Sequence, residues 1–234
     1  IYIIMAELIA IVGESGSGKT SSVRNLDPAK TFIISTTGKR PGIKGANKKY
    51  PSFTVQDGKV SGNFFASANV DQIGKVLQII DKKMPHITTV VIDDFQYVMG
   101  FEAMDRAKEK SYDKFTDMAQ HAYQVLKSAM NMRDDLNVVV STHSENMGDR
   151  VSPYYKMKTL GKMLDSVITL EGLFTYVFFT TIQRDEDNKP SYKFITNSDG
   201  TCTAKSPMGL FNDIYIDNDL DYVVKRIKEY NEED

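Results

Sequence analysis

Residues 8–20 read LIAIVGESGSGKT. The apolar run stops at Val12, and the eight residues from Gly13 to Thr20 hold three glycines, two serines, a lysine and a threonine. Gly13, Gly18, Lys19 and Thr20 match the pattern G-x-x-x-x-G-K-[ST] in full. A phosphate chain calls for this composition. Small residues let backbone N–H groups curl around phosphate oxygens, the lysine reaches the β- and γ-phosphates, and the hydroxyl is a Mg²⁺ ligand. Glu7 to Val12 reads as a buried strand and Thr20 to Asn25 as the first turns of a helix, stopped by Asp27-Pro28. That context turns the helix's positive end toward an anion. The candidate nucleotide-binding residues are Gly13, Glu14, Ser15, Gly16, Ser17, Gly18, Lys19, Thr20 and Ser21, and the ligands they imply are ATP and Mg²⁺.

Such a loop needs an acidic partner for the metal. Val90-Val91-Ile92-Asp93-Asp94 is an apolar strand ending in two carboxylates. Asp93 is assigned with Thr20 to the Mg²⁺ shell, through water. Asp94 has two readings, an orienting or deprotonating group for the attacking water and an N-cap for the helix starting at FQYVM. The strand NVVVSTH ends in polar residues, and Thr142 or His143 is the candidate sensor of the γ-phosphate; a hydrogen-bonded surface histidine is the alternative for His143. His86 and His121 read as structural, and no His/Cys cluster suits zinc.

The rest of the chain is ordinary in bulk. Its 234 residues are 41% hydrophobic and 26% charged, with a formal net charge of −2, so no global charge signals nucleic acid. The distribution is uneven. No acid stands between Asp27 and Asp57, where Lys30, Lys39, Arg40, Lys44, Lys48 and Lys49 occur, while the last four residues read NEED. Cys202 is the single cysteine, which excludes an internal disulfide and suits a reducing cytoplasm. No apolar run approaches the ~18 residues of a membrane span. Residues 1–4 precede Met5 and read as an upstream extension.

Strands and helices alternate first. A strand is expected at TFIIS (31–35), a helix over about 69–83 from Ile73, Val76, Leu77 and Ile80, and a long helix from Phe115 to Met130. The stretch SENMGDRVSPYYKMKTLGK reads as a long loop. VITLEG, FTYVFFTTI and SYKFITN read as strands, the last two joined by the turn RDEDNKP, and a helix from about Asn218 to Tyr230 closes the chain. The expected fold is a single α/β domain, with a mostly parallel core over 5–171 and antiparallel strands plus the last helix over 172–234.

The order of these parts narrows the reading. The segments GESGSGKTSSVRNLDP, TFIISTTGKRPGIKG, VVIDDFQYVM, VVVSTHSE, TLGKMLDSVITLEGLF and AKSPMGLF, spread over most of the chain, resemble the RecA-like P-loop ATPases. The resemblance is closest to the small phage-encoded ATPases of the Sak type, which act in single-strand annealing and recombination. The first segment is specific for phosphate binding, its combination with NLDP and GKRPGIKG suggests the phage group, and the others are individually weak. The resemblance implies a RecA-like core, a twisted sheet with helices on both faces, a ring or filament of identical subunits in a host bacterial cytoplasm, and a single-strand-binding protein as a further partner. It also implies that loops 99–114 and 144–162 meet single-stranded DNA. From Arg150 to Lys162 the second loop carries Arg150, Lys156, Lys158 and Lys162 with Tyr154 and Tyr155 and no acid, a composition for backbone contact and base stacking. The first loop is charge-balanced and gives no such support. Lys205 resembles the basic finger that a RecA-like subunit extends into its neighbour's ATP site.

The chain departs from the family at Ser35-Thr36-Thr37-Gly38, where RecA carries a catalytic glutamate and this sequence has no carboxylate. Either Asp94 takes that task or turnover is slow. The basic segment Lys39 to Lys49 either extends a DNA path or lies near the phosphates or a neighbouring subunit. Two other functions use the same phosphate loop: a small-molecule or nucleotide kinase, which the scattered arginines disfavour, and a nucleotide switch for a protein partner.

Overall fold

The computed structural model describes residues 5–111, 113–149, 151–158 and 169–233. Its centre is an eight-stranded mixed sheet in the order β12-β11-β10-β1-β7-β6-β2-β5. The strands are β1 (Glu7–Val12), β2 (Thr31–Ser35), β5 (Phe64–Ala66), β6 (Thr89–Asp93), β7 (Asn137–Thr142), β10 (Tyr176–Arg184), β11 (Pro190–Ile195) and β12 (Tyr215–Asp217). From β10 to β5 every neighbouring pair is parallel, while β10, β11 and β12 are antiparallel. The hairpin between β10 and β11 turns through Asn188, whose φ is +61°.

A parallel sheet is covered on both faces, and its strands are apolar on both. β1 shows this residue by residue. Leu8, Ala10 and Val12 pack on one side with Ile73, Val76, Leu77 and Ile80 of α2 (Val70–Lys83), Val98 and Met99 of α3 (Gln96–Asp105), and Ala122, Val125 and Leu126 of α4 (Asp113–Met130). Ile9 and Ile11 pack on the other with Tyr50, which follows α1 (Ala46–Lys49), and with Leu220, Val223 and Ile227 of α5 (Leu220–Glu232). Each Val, Leu, Ile or Met side chain buried in this way contributes about 1.5–3 kcal/mol. Asn69 starts α2 by accepting from the amide of Gln72, and Asp219 starts α5 by accepting from that of Asp221.

The helix expected over Thr20–Asn25 is present as a six-residue 3-10 helix that ends at Leu26, ahead of Asp27-Pro28. Three other expectations are corrected. The stretch expected as a long loop contains an antiparallel hairpin, β8 (Ser144–Asn146) with β9 (Tyr155–Met157), paired Ser144 to Met157 and Asn146 to Tyr155. The first expected DNA loop is helical as far as Asp105. The described end of VITLEG enters a 3-10 turn, Leu170–Leu173, where a strand was expected. The sequence reading also passed over the small hairpin β3 (Thr54–Gln56) and β4 (Lys59–Ser61). Residues 1–4, Arg150 and the whole of TLGKMLDSVI (159–168), with Lys162, lie outside the described residues. Among the described residues, no helix is long and apolar enough to cross a membrane.

Candidate functional site

The parallel strands β1, β2, β6 and β7 end together, which is where open α/β sheets leave a crevice. The loop after β1 lies there. Gly16 and Gly18 have φ of +80° and +101°, values that side-chain-bearing residues avoid. Gly13 is required for another reason: a Cβ on it would stand 1.8 Å from Thr180 Oγ1 and 2.8 Å from Ser17 Oγ. Ser17 Oγ itself donates to Glu14 O at 2.6 Å and lies 2.5 Å from Thr180 Oγ1, so β10 braces the loop from outside. Gly13→Ala is expected to cost about 1–3 kcal/mol by overpacking, with part recovered in the double variant carrying Thr180→Ala. Urea unfolding measures both, and an unchanged midpoint for Gly13→Ala would contradict the close approach.

The amides of Gly16, Gly18 and Lys19 have no acceptor among the described residues. Unpaired donors at a turn of left-handed glycines form an anion-binding concavity. Lys19 is 7% exposed, and its ammonium donates to Gly13 O at 2.9 Å and Glu14 O at 2.7 Å. Burial lowers its pKa, against the opposing charges of Asp94, Asp93 and Glu14.

Asp93 is 5% exposed at the end of β6. Thr20 Oγ1 donates to its carboxylate, 3.1 Å from each oxygen, and Ser141 Oγ donates to Oδ1. Burial raises the Asp93 pKa, while the Ser141 and Thr20 hydrogen bonds lower it. Thr36 Oγ1 donates to the carbonyls of Asp93 and Asp94, which ties the end of β2 to the same corner.

Asp94 has a φ of +60°, an uncommon conformation that Asp tolerates and that functional sites concentrate. Its N–H donates to Ser141 Oγ at 3.0 Å. The capping position of α3 is Phe95, with no side-chain cap, so the N-cap reading of Asp94 is corrected. Its carboxylate instead stands 3.9 Å from His143 Nε2. Burial, followed by the charge of Lys19, lowers the His143 pKa against the pull of Asp94.

A cavity of about 310 Å³ brings Lys19, Thr20, Ser21, Asp94 and His143 together with Thr37, Lys39, Tyr97 and Tyr192. Of the two sensor candidates, His143 lines this cavity, and Thr142 is 1% exposed within the sheet, its carbonyl accepting from Gly13 N. A second cavity of about 370 Å³ lies against the other flank of the loop, between Gly13–Ser17, Phe179–Ile182, Ser144, Tyr155 and the buried thiol of Cys202.

The remaining candidates lie apart. Lys205 is exposed and pairs through its backbone with Val177; it lines neither cavity. Tyr155 and Lys156 belong to β9, Tyr154 is 41% exposed beside it, and Lys158 follows it. This hairpin is attached to the loop directly, with Ser144 N donating to Gly13 O at 3.3 Å and Lys158 N to His143 O at 2.8 Å. In the segment 99–114, Arg106 is bound to Glu102, Glu109 and Asp117, and Glu102 also meets His121 at 2.9 Å.

The residues fit a nucleotide carrying a divalent ion. A cradle of free amides and a buried ammonium suit phosphate oxygens, and one carboxylate with one hydroxyl suits an ion that keeps most of its water. Among the described residues no group of three or more His, Cys, Asp or Glu could hold a metal alone. Sequence reasoning missed Ser141, Thr180 and Tyr192. Ser141 was visible in the polar end of NVVVSTH, whereas Thr180 and Tyr192 reach the loop only through pairing with distant strands. No protein-family model matches the chain, and no curated protein matches it.

Proposed function

We propose that this chain is an ATP- and Mg²⁺-dependent ATPase of the RecA-like class that binds single-stranded DNA in phage recombination or annealing, with nucleotide coupled to assembly of identical subunits on the strand. The observation that carries the nucleotide half is the convergence of Lys19, Thr20 and Asp93 around a glycine loop with unpaired amides. In this reading the loop amides and Lys19 hold the phosphates, and Thr20 and Asp93 hold the ion with its water. The ion would neutralise charge building up on the transferring phosphoryl group.

Asp94 is the group in this chain for orienting the attacking water, and His143 beside it, with its pKa lowered, is the candidate γ-phosphate sensor. Thr37 and Ser35 supply hydroxyls at the end of β2, where the family has a carboxylate, and neither hydroxyl has a partner among the described residues. Turnover is accordingly expected to be slow without DNA. The DNA half rests on the hairpin β8–β9, which presents Tyr154 and Lys158 and is hydrogen-bonded to both the phosphate loop and His143. Lys205, exposed and away from its own loop, suits a role toward a neighbouring subunit.

Steady-state ATP hydrolysis with Mg²⁺, measured with and without single-stranded DNA at low and moderate salt, tests the reading. Stimulation by the strand that weakens as salt rises is expected. A rate indifferent to DNA, with no nucleotide-dependent DNA binding, would remove the DNA half and favour a nucleotide switch for a protein partner.

A further inference from the structure

The basic segment 39–49 is divided by the fold. Lys39 lines the nucleotide cavity, while Arg40 is committed to structure: it donates to Tyr50 O and to Ser52 Oγ and stacks 4.2 Å above the Phe64 ring. Lys48 and Lys49 stand elsewhere. They line a separate cavity of about 400 Å³, together with Lys83 and His86.

This cavity is at the opposite end of the sheet from the phosphate loop. Its walls include Pro28 and Ala29 ahead of β2, Gly62 and Asn63 ahead of β5, and His86 and Ile87 ahead of β6. Among the described residues, no carboxylate lines it. Among the described residues, Lys48, Lys49 and Lys83 form no ion pair, and the nearby Asp27 is turned to the amide of Ala29 at 2.9 Å. Lys83 alone would be an ordinary complement to the end of α2. Lys48 and Lys49 from α1, and His86 from the connection into β6, converge on it from other segments. The floor is apolar, with Val60, Met84 and Ile87. Beneath it the Asn63 side chain donates to Pro28 O and Thr31 O, and its Oδ1 is buried without a partner.

Cations around an apolar hollow recognise a chain of phosphates whose bases are free to turn inward. A duplex keeps its bases stacked and would meet only the lysines. An imidazole at the rim offers a surface for a base. We infer that the cleft of Lys48, Lys49, Lys83 and His86 is a second binding site for a single nucleic-acid strand, independent of nucleotide and remote from the β8–β9 hairpin.

The test is fluorescence anisotropy of a labelled thymidine oligonucleotide without ATP, titrated over a range of salt. The triple variant Lys48→Ala, Lys49→Ala, Lys83→Ala is expected to bind about ten-fold more weakly at low salt, with a salt slope shallower by about 2, since each single-strand phosphate contact contributes ~0.7. An unchanged melting temperature verifies its fold, and His86→Ala is expected to weaken single-strand binding more than duplex binding. The assay contains no nucleotide, so the cleft and the phosphate loop succeed or fail separately. Tyr154→Ala with Lys158→Ala, added to the triple variant, should weaken binding further if both surfaces are used. Wild-type affinity and slope in the triple variant would overturn the inference. So would equal losses for single strand and duplex in His86→Ala, or full competition by millimolar inorganic phosphate.

Discussion

Replacing Asp93 with asparagine is expected to make the ligand-free protein more stable while lowering Mg²⁺-dependent ATP turnover by about 10²–10³-fold. The two effects have one origin. The Asp93 carboxylate is almost wholly buried, and its pKa is raised chiefly by that burial. A carboxyl group whose pKa rises on folding binds its proton more tightly in the folded state. Stability therefore falls as pH climbs from the ordinary value of 3.8 through the raised folded value, and the cost persists at neutral pH. Asparagine keeps an acceptor for Ser141 and a donor for Thr20 Oγ1 without the charge. Its ligand-free melting temperature at neutral pH is expected to exceed the wild type by about 2–4 °C, the equivalent of ~1 kcal/mol, and the part of the wild type's acid-range slope that comes from Asp93 should be lost. Thermal melts of both proteins across the acid range measure this. A variant less stable than wild type at neutral pH, or one with the same pH slope, would show that the carboxylate is compensated in place.

Lys19→Ala is expected to remove the response to nucleotide. The ammonium is buried on two loop carbonyls, Gly13 O and Glu14 O, and would exchange them for phosphate oxygens. At a MgATP concentration of about 100 Kd, wild type gains ~2.7 kcal/mol of stability, and a variant binding about 100-fold more weakly gains only ~0.4 kcal/mol. The thermal shift with MgATP should thus almost vanish, and nucleotide-dependent assembly with it. Ligand-free stability should change little, because burial already lowers the pKa of this lysine and removing it relieves a desolvation cost. A variant that keeps the wild-type shift and assembles with ATP would place the phosphates elsewhere.

The reach of the sequence differs from element to element. The two carboxylates of VVIDD and the glycines of GESGSGKT were legible because apolar strands lead directly into them, and helices α2 and α4 because their buried positions recur at helical spacing. The β3–β4 hairpin was legible and passed over: its turn is Asp57-Gly58, both at positive φ, in a segment too short and too exposed to look like strand. The β8–β9 hairpin was not legible. Its strands are three residues each, only the first of them wholly polar, and separated by eight residues, so neither periodicity nor a tight turn marks them. Removing the N-cap reading of Asp94 needed the backbone, since its φ and the start of α3 at Phe95 are not marked in the sequence. The dependence of Gly13 on Thr180 joins residues 167 positions apart and has no local trace.

The place of β1 in the sheet has a consequence for how the chain is made. It leaves the ribosome first among the strands, yet its neighbours are β7 and β10, which end at Thr142 and Arg184. β2, β5 and β6 can pair with one another once residue 93 has been made, while LIAIV keeps both edges open until β7 has been made, and its second edge open until β10 follows. Partnerships this distant along the chain slow folding and lengthen the time an apolar strand is exposed to its copies. Shielding of that nascent strand is therefore expected to bear on the yield of folded protein.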